Sequence, residues 1–505
     1  MSSEATRPLS QPLVEAVPSD RPEWLIDNAD AYAALISAIR DARDSIWISQ
    51  LALDADCVAY EVGSTRASTT IVGELLAASR RGVQVRVLLN ASLLLDTAKP
   101  LRAHLEKAGA DTRRFRVRGV SRFPQLLHAK LVVVDAEVAL LIGSPFANGY
   151  WDDADHAPID PRRPMRELAG RPVHDVSTLI TGPAVATLGA TFAALWNDAD
   201  DVMGGDEEDL AVAGHPTALA DSPMRIVHTA PGDGPMEILP ALLEGIASAE
   251  WLIYVEHQYL SARPVVDALV QALARHRTLE VVVLLNQNPD VTAYRGWQNA
   301  RLRESGLLEH PRVGLFTLWT SALESSNHVR QLNQVFVHSK VVAIDDRWLL
   351  VGSANLDGVS LHSYGDDFSS RLGRWIFRGV RNFDVGAVID AEQDDESAEQ
   401  VRALRARLWK EHLGGSFHEI GARPTGGWIP LWRSVARRNA AELGKGGRAR
   451  CLDGPFILPY SSKSTPRAQL ADVGVVFAPD TLELCFAPSW LEVHCSPNWV
   501  RNMFG

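Results

Sequence analysis

Two stretches of this sequence each present a histidine, a lysine and an aspartate at the same intervals. LLHAKLVVVD supplies His128, Lys130 and Asp135, and FVHSKVVAID supplies His338, Lys340 and Asp345. Both follow H-x-K-x4-D inside runs of Val, Ile and Leu. Such runs read as buried strands, whose side chains alternate with period two, so the His and Lys of each copy share a face. Burying an imidazole beside an ammonium is costly unless an anion meets them, and a phosphate held between two such faces meets that need. The chemistry this allows is displacement at phosphorus. One neutral imidazole attacks to form a phosphohistidine, and a second, protonated, donates to the leaving alkoxide and later takes a proton from the incoming water or alcohol. The two lysines neutralise charge on the non-bridging oxygens, and the scheme demands no metal and no cofactor.

The elements that must position these residues are themselves repeated. ALISAIRDARDSIWISQLALD, then GVQVRVLLN, precede the first motif; ALLEGIASAEWLIYVEHQYL, then LEVVVLLN, precede the second. Each half reads helix, strand, helix, strand, then a strand pair turning at Asp135-Ala136-Glu137 or Asp345-Asp346-Arg347. The pattern predicts an α/β protein of two tandem α/β/α sandwich domains, packed as a pseudo-dimer with the active site at their interface. The first half is expected over 1–196, an acidic linker over 197–223, the second half over 224–420, and a C-terminal extension of unassigned role over 421–505.

Composition constrains partners more than fold. The 505 residues are 46% hydrophobic, enough for two substantial cores. A net charge of -12 repels polyanions at long range, which weighs against a non-specific nuclease unless a local basic cleft overrides it. The N-terminal residues lack both a basic start and an apolar stretch, and no segment reaches the ~20 apolar residues of a membrane span. A cytoplasmic location is the default expectation, with signal-independent export left open. Cys57, Cys451, Cys485 and Cys495 fit no C-x2-C zinc pattern despite His494, and read as free thiols; a Cys485–Cys495 disulfide would need an oxidising compartment.

After Asp345 the second motif continues into GSAN, with Gly352, Ser353 and Asn355, and the complete H-x-K-x4-D-x6-G-S-x-N string resembles the phospholipase D superfamily. LIGSPFANGYWDDADH lies without gaps on that family's GG-I-D-L-A-Y-G-R-W-D-D segment, and RPVHDVSTLITGPAVATLGATFAALWN on its HDV, GPAV and F-x3-WN sequence. The likeness runs over roughly residues 24 to 415. It departs where Ile142 and Gly143 replace a glycine pair and Pro145 an Asp or Asn, leaving Ser144 or Asn148 to supply the missing hydrogen bond. The resemblance implies hydrolysis or transfer of a phospholipid head group, with His128 as nucleophile and His338 as acid/base. It further implies that Asp175 and Asp384 fix the histidine tautomers, that Ser353 and Asn355 help to hold the phosphate, and that Asp135 and Asp345 support the site from the turns.

A nuclease using the same residues, or an inactive phosphate- or lipid-binding protein, are the alternatives. The implied partners are a phospholipid and, peripherally, a membrane; nucleic acid is not expected, and a monomer suffices because both motifs lie in one chain. Arg371, Arg374, Arg378 and Arg381, interleaved with Trp375 and Phe377, read either as a clamp for a head group or second phosphate or as a surface helix. Arg433, Arg437, Arg438, Lys445, Arg448 and Arg450 of the extension read as a solvated face or a membrane contact.

Overall fold

The computed structural model describes residues 20–485, apart from 61–66, 94, 123, 166–167, 205–208, 212–222, 291, 325–327, 364, 366–367, 369, 377, 415–422, 449–451, 477 and 479. The N-terminal segment, much of the linker, Phe377, Arg450, Cys451, His494 and Cys495 therefore lie outside the described residues. Cys57 and Cys485 are free thiols. No helix among the described residues is long and apolar enough to cross a membrane.

Each half is built on one mixed sheet. In the first, the strand order is Arg21–Ile26, Val176–Thr181, Val138–Leu141, Leu131–Val134, Ser45–Ser49, Gln84–Asn90, Phe115–Val120 and Asp200–Asp201. In the second, Met224–Thr229, Asn382–Asp390, Trp348–Gly352, Lys340–Ile344, Leu252–His257, Glu280–Leu285 and Val313–Leu323 follow in the same spatial order. The apolar runs become the central strands. Ser45–Ser49, Gln84–Asn90 and Phe115–Val120 pair parallel, as do their counterparts, and the motif strands add antiparallel beside them.

Helices close the outer faces through amphipathic stripes. Asp27–Asp41 buries Ala31, Leu35 and Ile39, while Ile71–Arg81 buries Ile71, Val72 and Leu75. The latter starts where the Thr70 hydroxyl accepts from Gly73 N at 3.0 Å and stops at Gly82, whose φ of 110° suits a residue without Cβ. Between the sheets lies one core with residues of both halves. Leu131, Val133, Leu188 and Trp196 meet Val341, Val351, Leu404 and Trp409 there, so the halves are joined by buried apolar surface.

Two sequence expectations change. Asp200–Asp201, inside the predicted linker, pairs antiparallel with Arg118–Gly119, so the chain leaves the first sheet later than its composition implied. The extension is not a solvated appendage: Gly454–Pro459 pairs with Val313–Leu323, and Trp428–Leu443 buries Trp428 and Trp432 in the shared core. Glu280 accepts from the Trp428 and Ile429 amides at 2.9 and 3.1 Å, offsetting the positive helix end, and Arg433 donates to the Val313 carbonyl at 2.8 Å.

Candidate active site

The run expected as one strand through each motif is broken at the histidine. Leu126–Leu127 leaves its own half and pairs parallel with Asn382–Phe383 of the second; Phe336–Val337 pairs parallel with Val173–His174 of the first. His128 N then donates to Phe383 O at 3.0 Å and His338 N to His174 O at 2.8 Å. Only after the histidine does each motif enter its home sheet, at Leu131 and Lys340. Because the segment before the histidine needs partners across the interface, a single continuous strand cannot form.

Two asparagines hold these crossings and were not singled out from sequence, although both end the VLLN runs. Asn90 brackets Leu127, accepting from its N–H at 2.9 Å and donating to its carbonyl at 3.0 Å. Asn286 brackets Val337 in the same way, at 2.9 and 2.6 Å. Their recurrence at the end of the same VLLN run in each half was the available signal.

The crossing hands each histidine to a carboxylate of the other half. His128 Nδ1 lies 2.7 Å from Asp384 Oδ1, and His338 Nδ1 lies 2.8 Å from Asp175 Oδ2. With Nδ1 so engaged, each Nε2 is the nitrogen left for substrate. The carboxylates are fixed in turn: Ser353 Oγ donates to Asp384 Oδ1 at 2.6 Å, and Ser144 Oγ donates to Asp175 Oδ2. A Cβ on Gly143 would collide with the Asp175 carboxylate, which explains a glycine there.

All four central side chains are buried, His128 to 6% exposure and Lys130 to 1%. Burial and then the Lys130 charge push His128 down to about 4; burial and then Lys340 push His338 down to about 3. Burial likewise lowers Lys130 to about 7, with Lys340 adding to it, and lowers Lys340 to about 8. Burial works against ionising Asp175, but His338, Lys340 and the Ser144 hydroxyl outweigh it and hold the carboxyl down to about 2; Asp384 is held low by His128, Ser353 and Lys130 against the same penalty. These shifts favour neutral imidazoles and ionised carboxylates near neutral pH, and bring both lysines into a range where they titrate close to it.

Other predicted residues are placed differently. Asp135 and Asp345, grouped with the motif residues and expected to support the site from the turns, sit in two-residue turns with positive φ and accept from backbone amides of 43–45 and 250–252 at 2.6–3.0 Å. They lock each hairpin to the neighbouring strand start. Ser353 and Ser144 serve carboxylates and are not free phosphate donors. Asn148 accepts from Val58 N and donates to Asp56 O, both at 2.8 Å, so it cannot replace the lost amide. Asn355 is buried, and its Oδ1 has no hydrogen-bond partner among the described residues. The arginine-aromatic segment forms the short helix Arg371–Ile376, with Leu372 65% and Trp375 67% exposed, in line with the surface-helix reading.

The family described as "Cardiolipin synthase, PLD-like domain" matches residues 35–148 and 242–409, over half of the chain. The chain belongs to the phospholipase D superfamily. Relatives include Phospholipase D A of Dictyostelium discoideum, 22% identical over 462 residues that cover 77% of this chain and 35% of that protein. Cardiolipin synthase A of Pseudomonas syringae pv. syringae (strain B728a) is 23% identical over 399 residues, covering 76% of this chain and 72% of that one. The chain thus spans about a third of the first relative and most of the second. Among solved structures, phosphatidylserine synthase of Haemophilus influenzae Rd KW20 superposes with a TM-score of 0.52 at 14% identity, over 85% of this chain and 96% of that chain, and shares the fold. In this phospholipase D superfamily member, the two motifs and the two carboxylates that serve them come together only where the halves meet.

Proposed function

We propose that this protein transfers the phosphatidyl group of a phospholipid from its head-group alcohol to water or a second alcohol through a phosphohistidine. The observation that carries the reading is the pair of crossed dyads, His128–Asp384 and His338–Asp175, each beside a buried lysine. The names of the relatives, which include phospholipase D, cardiolipin synthase and phosphatidylserine synthase, support a phospholipid over other diesters.

In the proposed sequence the phosphodiester enters with its non-bridging oxygens toward Lys130 and Lys340, whose protonation the anion restores, and toward the Asn355 side chain. His128 Nε2 attacks phosphorus while Asp384 holds Nδ1–H and stabilises the growing positive charge. His338, protonated once the phosphate's negative charge is in place, donates from Nε2 to the departing head-group oxygen. The same nitrogen then deprotonates the incoming water or alcohol, which attacks the phosphohistidine and returns His128 to neutrality. Two in-line displacements give overall retention at phosphorus.

The test offers mixed phospholipid micelles with a few per cent of ethanol, in parallel with single-stranded DNA. Phosphatidylethanol together with phosphatidic acid is the expected result. Rapid cleavage of the DNA with no head group released would overturn the lipid reading in favour of the nuclease while keeping the same catalytic set.

A further inference from the structure

Behind the dyads lies a second group of titratable side chains that the proposed chemistry does not use. Asp27 opens the helix Asp27–Asp41, His156 lies in the loop after Tyr150, His174 precedes Asp175, and Glu411 comes from the last turns of the helix Asp395–Leu413. Asp27 is 1% exposed, His156 and His174 are wholly buried, and the Glu411 side chain is 12% exposed. One ligating atom of each lies within 4.8 Å of all the others. His156 Nε2 is 3.2 Å from Glu411 Oε1 and 3.6 Å from Asp27 Oδ2, and His174 Nδ1 is 3.0 Å from both Asp27 Oδ1 and Glu411 Oε1. A tetrahedral ion with bonds of about 2.0–2.1 Å separates its ligands by about 3.3 Å, close to these spacings.

Protonated imidazoles or a metal ion would each balance these acids, and two observations favour the metal. Each of the two ligand histidines turns its other nitrogen to a separate carboxylate, His156 Nδ1 to Asp152 Oδ2 at 2.7 Å and His174 Nε2 to Glu256 Oε1 at 2.8 Å. Asp152 is itself paired with Arg163. The hydrogen bond to Asp152 behind His156 directs its opposite lone pair at the common centre, as in metal-bound histidines, and Glu256 stands at ion-pair distance behind His174. Finally, buried Asp27 Oδ2 accepts no hydrogen bond from any described residue, leaving an anionic oxygen facing the centre without a donor.

We propose that Asp27, His156, His174 and Glu411 form a closed, four-ligand site for one structural zinc ion. Two nitrogens and two carboxylate oxygens suit that ion, and four protein ligands leave no position for substrate. Three ligands belong to the first half and Glu411 to the second, so the ion pins the halves together next to Asp175, the residue that orients His338.

Metal analysis by plasma mass spectrometry of the full chain, desalted after expression without added metal, should find about one zinc per chain. Glu411→Gln and His156→Ala should lose it, while His128→Ala, at the catalytic centre, retains it. Should the first two fail to fold, wild-type chain unfolded in denaturant with a chelator and refolded with or without zinc answers the same question: the thermal midpoint should recover only with zinc. A metal-free preparation whose midpoint is the same with and without zinc overturns the proposal. So does an NMR spectrum of the native chain in which His156 and His174 each carry protons on both ring nitrogens. Neither readout depends on the substrate or on turnover.

Discussion

Around His128 stand Asp384, Ser353 and Lys130; around His338 stand Asp175, Ser144, Lys340 and the edge of the Tyr150 ring, at 5.2 Å between centroids. The scaffolds match strand for strand, but the lysines do not. Each lysine Nζ donates to the carbonyl of its own motif histidine, but Lys340 Nζ also approaches His338 Nδ1 to 3.1 Å. His338 is consequently pushed further down, to about 3 against about 4. The repeat therefore brings two imidazoles with unlike lysine contacts to one site.

The largest effect should come from asking which histidine is which. His128→Ala and His338→Ala should each lower turnover of phospholipid by about 10³-fold or more. On a diester with a good leaving group such as p-nitrophenol, His338→Ala should still release a stoichiometric burst, and His128→Ala none. A burst from His128→Ala alone would exchange the roles.

The carboxylates come next, and their crossed arrangement makes the prediction specific. Asp384→Asn and Asp175→Asn should each reduce turnover by about 10²-fold or more, since an amide no longer fixes the Nδ1–H tautomer. Asp384→Asn should slow the burst, whereas Asp175→Asn should slow chiefly substrates with poor leaving groups. Matching leaving-group dependence in the two variants would mean the dyads are not assigned to separate steps.

A smaller asymmetry lies in the serines. Ser144 touches both Asp175 and, at 3.3 Å, His338 Nδ1, while Ser353 serves Asp384 and the Val385 amide. Removing a hydrogen bond to a charged partner costs about 1.5–3 kcal/mol, so Ser353→Ala and Ser144→Ala should lower turnover by about 10-fold or somewhat more, with Ser144→Ala the worse. Steady-state kinetics on the same diester compares them directly.

The lysines give the mildest effect and a pH signature. In the empty site Lys130 sits at about 7 and Lys340 at about 8. Their cations bind anions and their neutral forms do not, so sulfate, whose own charge is constant here, should inhibit well at pH 6.5 and progressively less as pH rises through 7 to 9. A loss of a few-fold to about 10-fold per unit is expected in its inhibition constant. Lys130→Met should remove the lower part of that titration and leave the upper; a flat profile in the wild type would contradict proton-dependent phosphate binding.

The candidate residues were legible before the architecture that gathers them. Residue types and spacing named His128, Lys130, His338 and Lys340, and the family segments named Asp175 and Asp384. Nothing in a linear string says that Asp175 serves the later histidine and Asp384 the earlier one, because that exchange is made by strand pairs such as Leu126–Leu127 with Asn382–Phe383, which close over long separations. Asp135 and Asp345 recur with the motif because what recurs is the hairpin they brace. Pattern reading also undervalued the extension: the apolar positions of Trp428–Leu443 are recognisable, but their burial depends on Glu280 capping a helix nearly 150 residues later in the chain.

The exchange of carboxylates also bears on how the chain matures. A polypeptide emerging from the ribosome shows His128 and Lys130 long before Asp384 exists, and the strand that must draw Leu126 and Leu127 across has not been synthesised. Until about three-quarters of the 505 residues have been translated, His128 has no Asp384 carboxylate beside its Nδ1. Nascent chains and fragments ending before Asp384 therefore carry a complete first motif without its dyad.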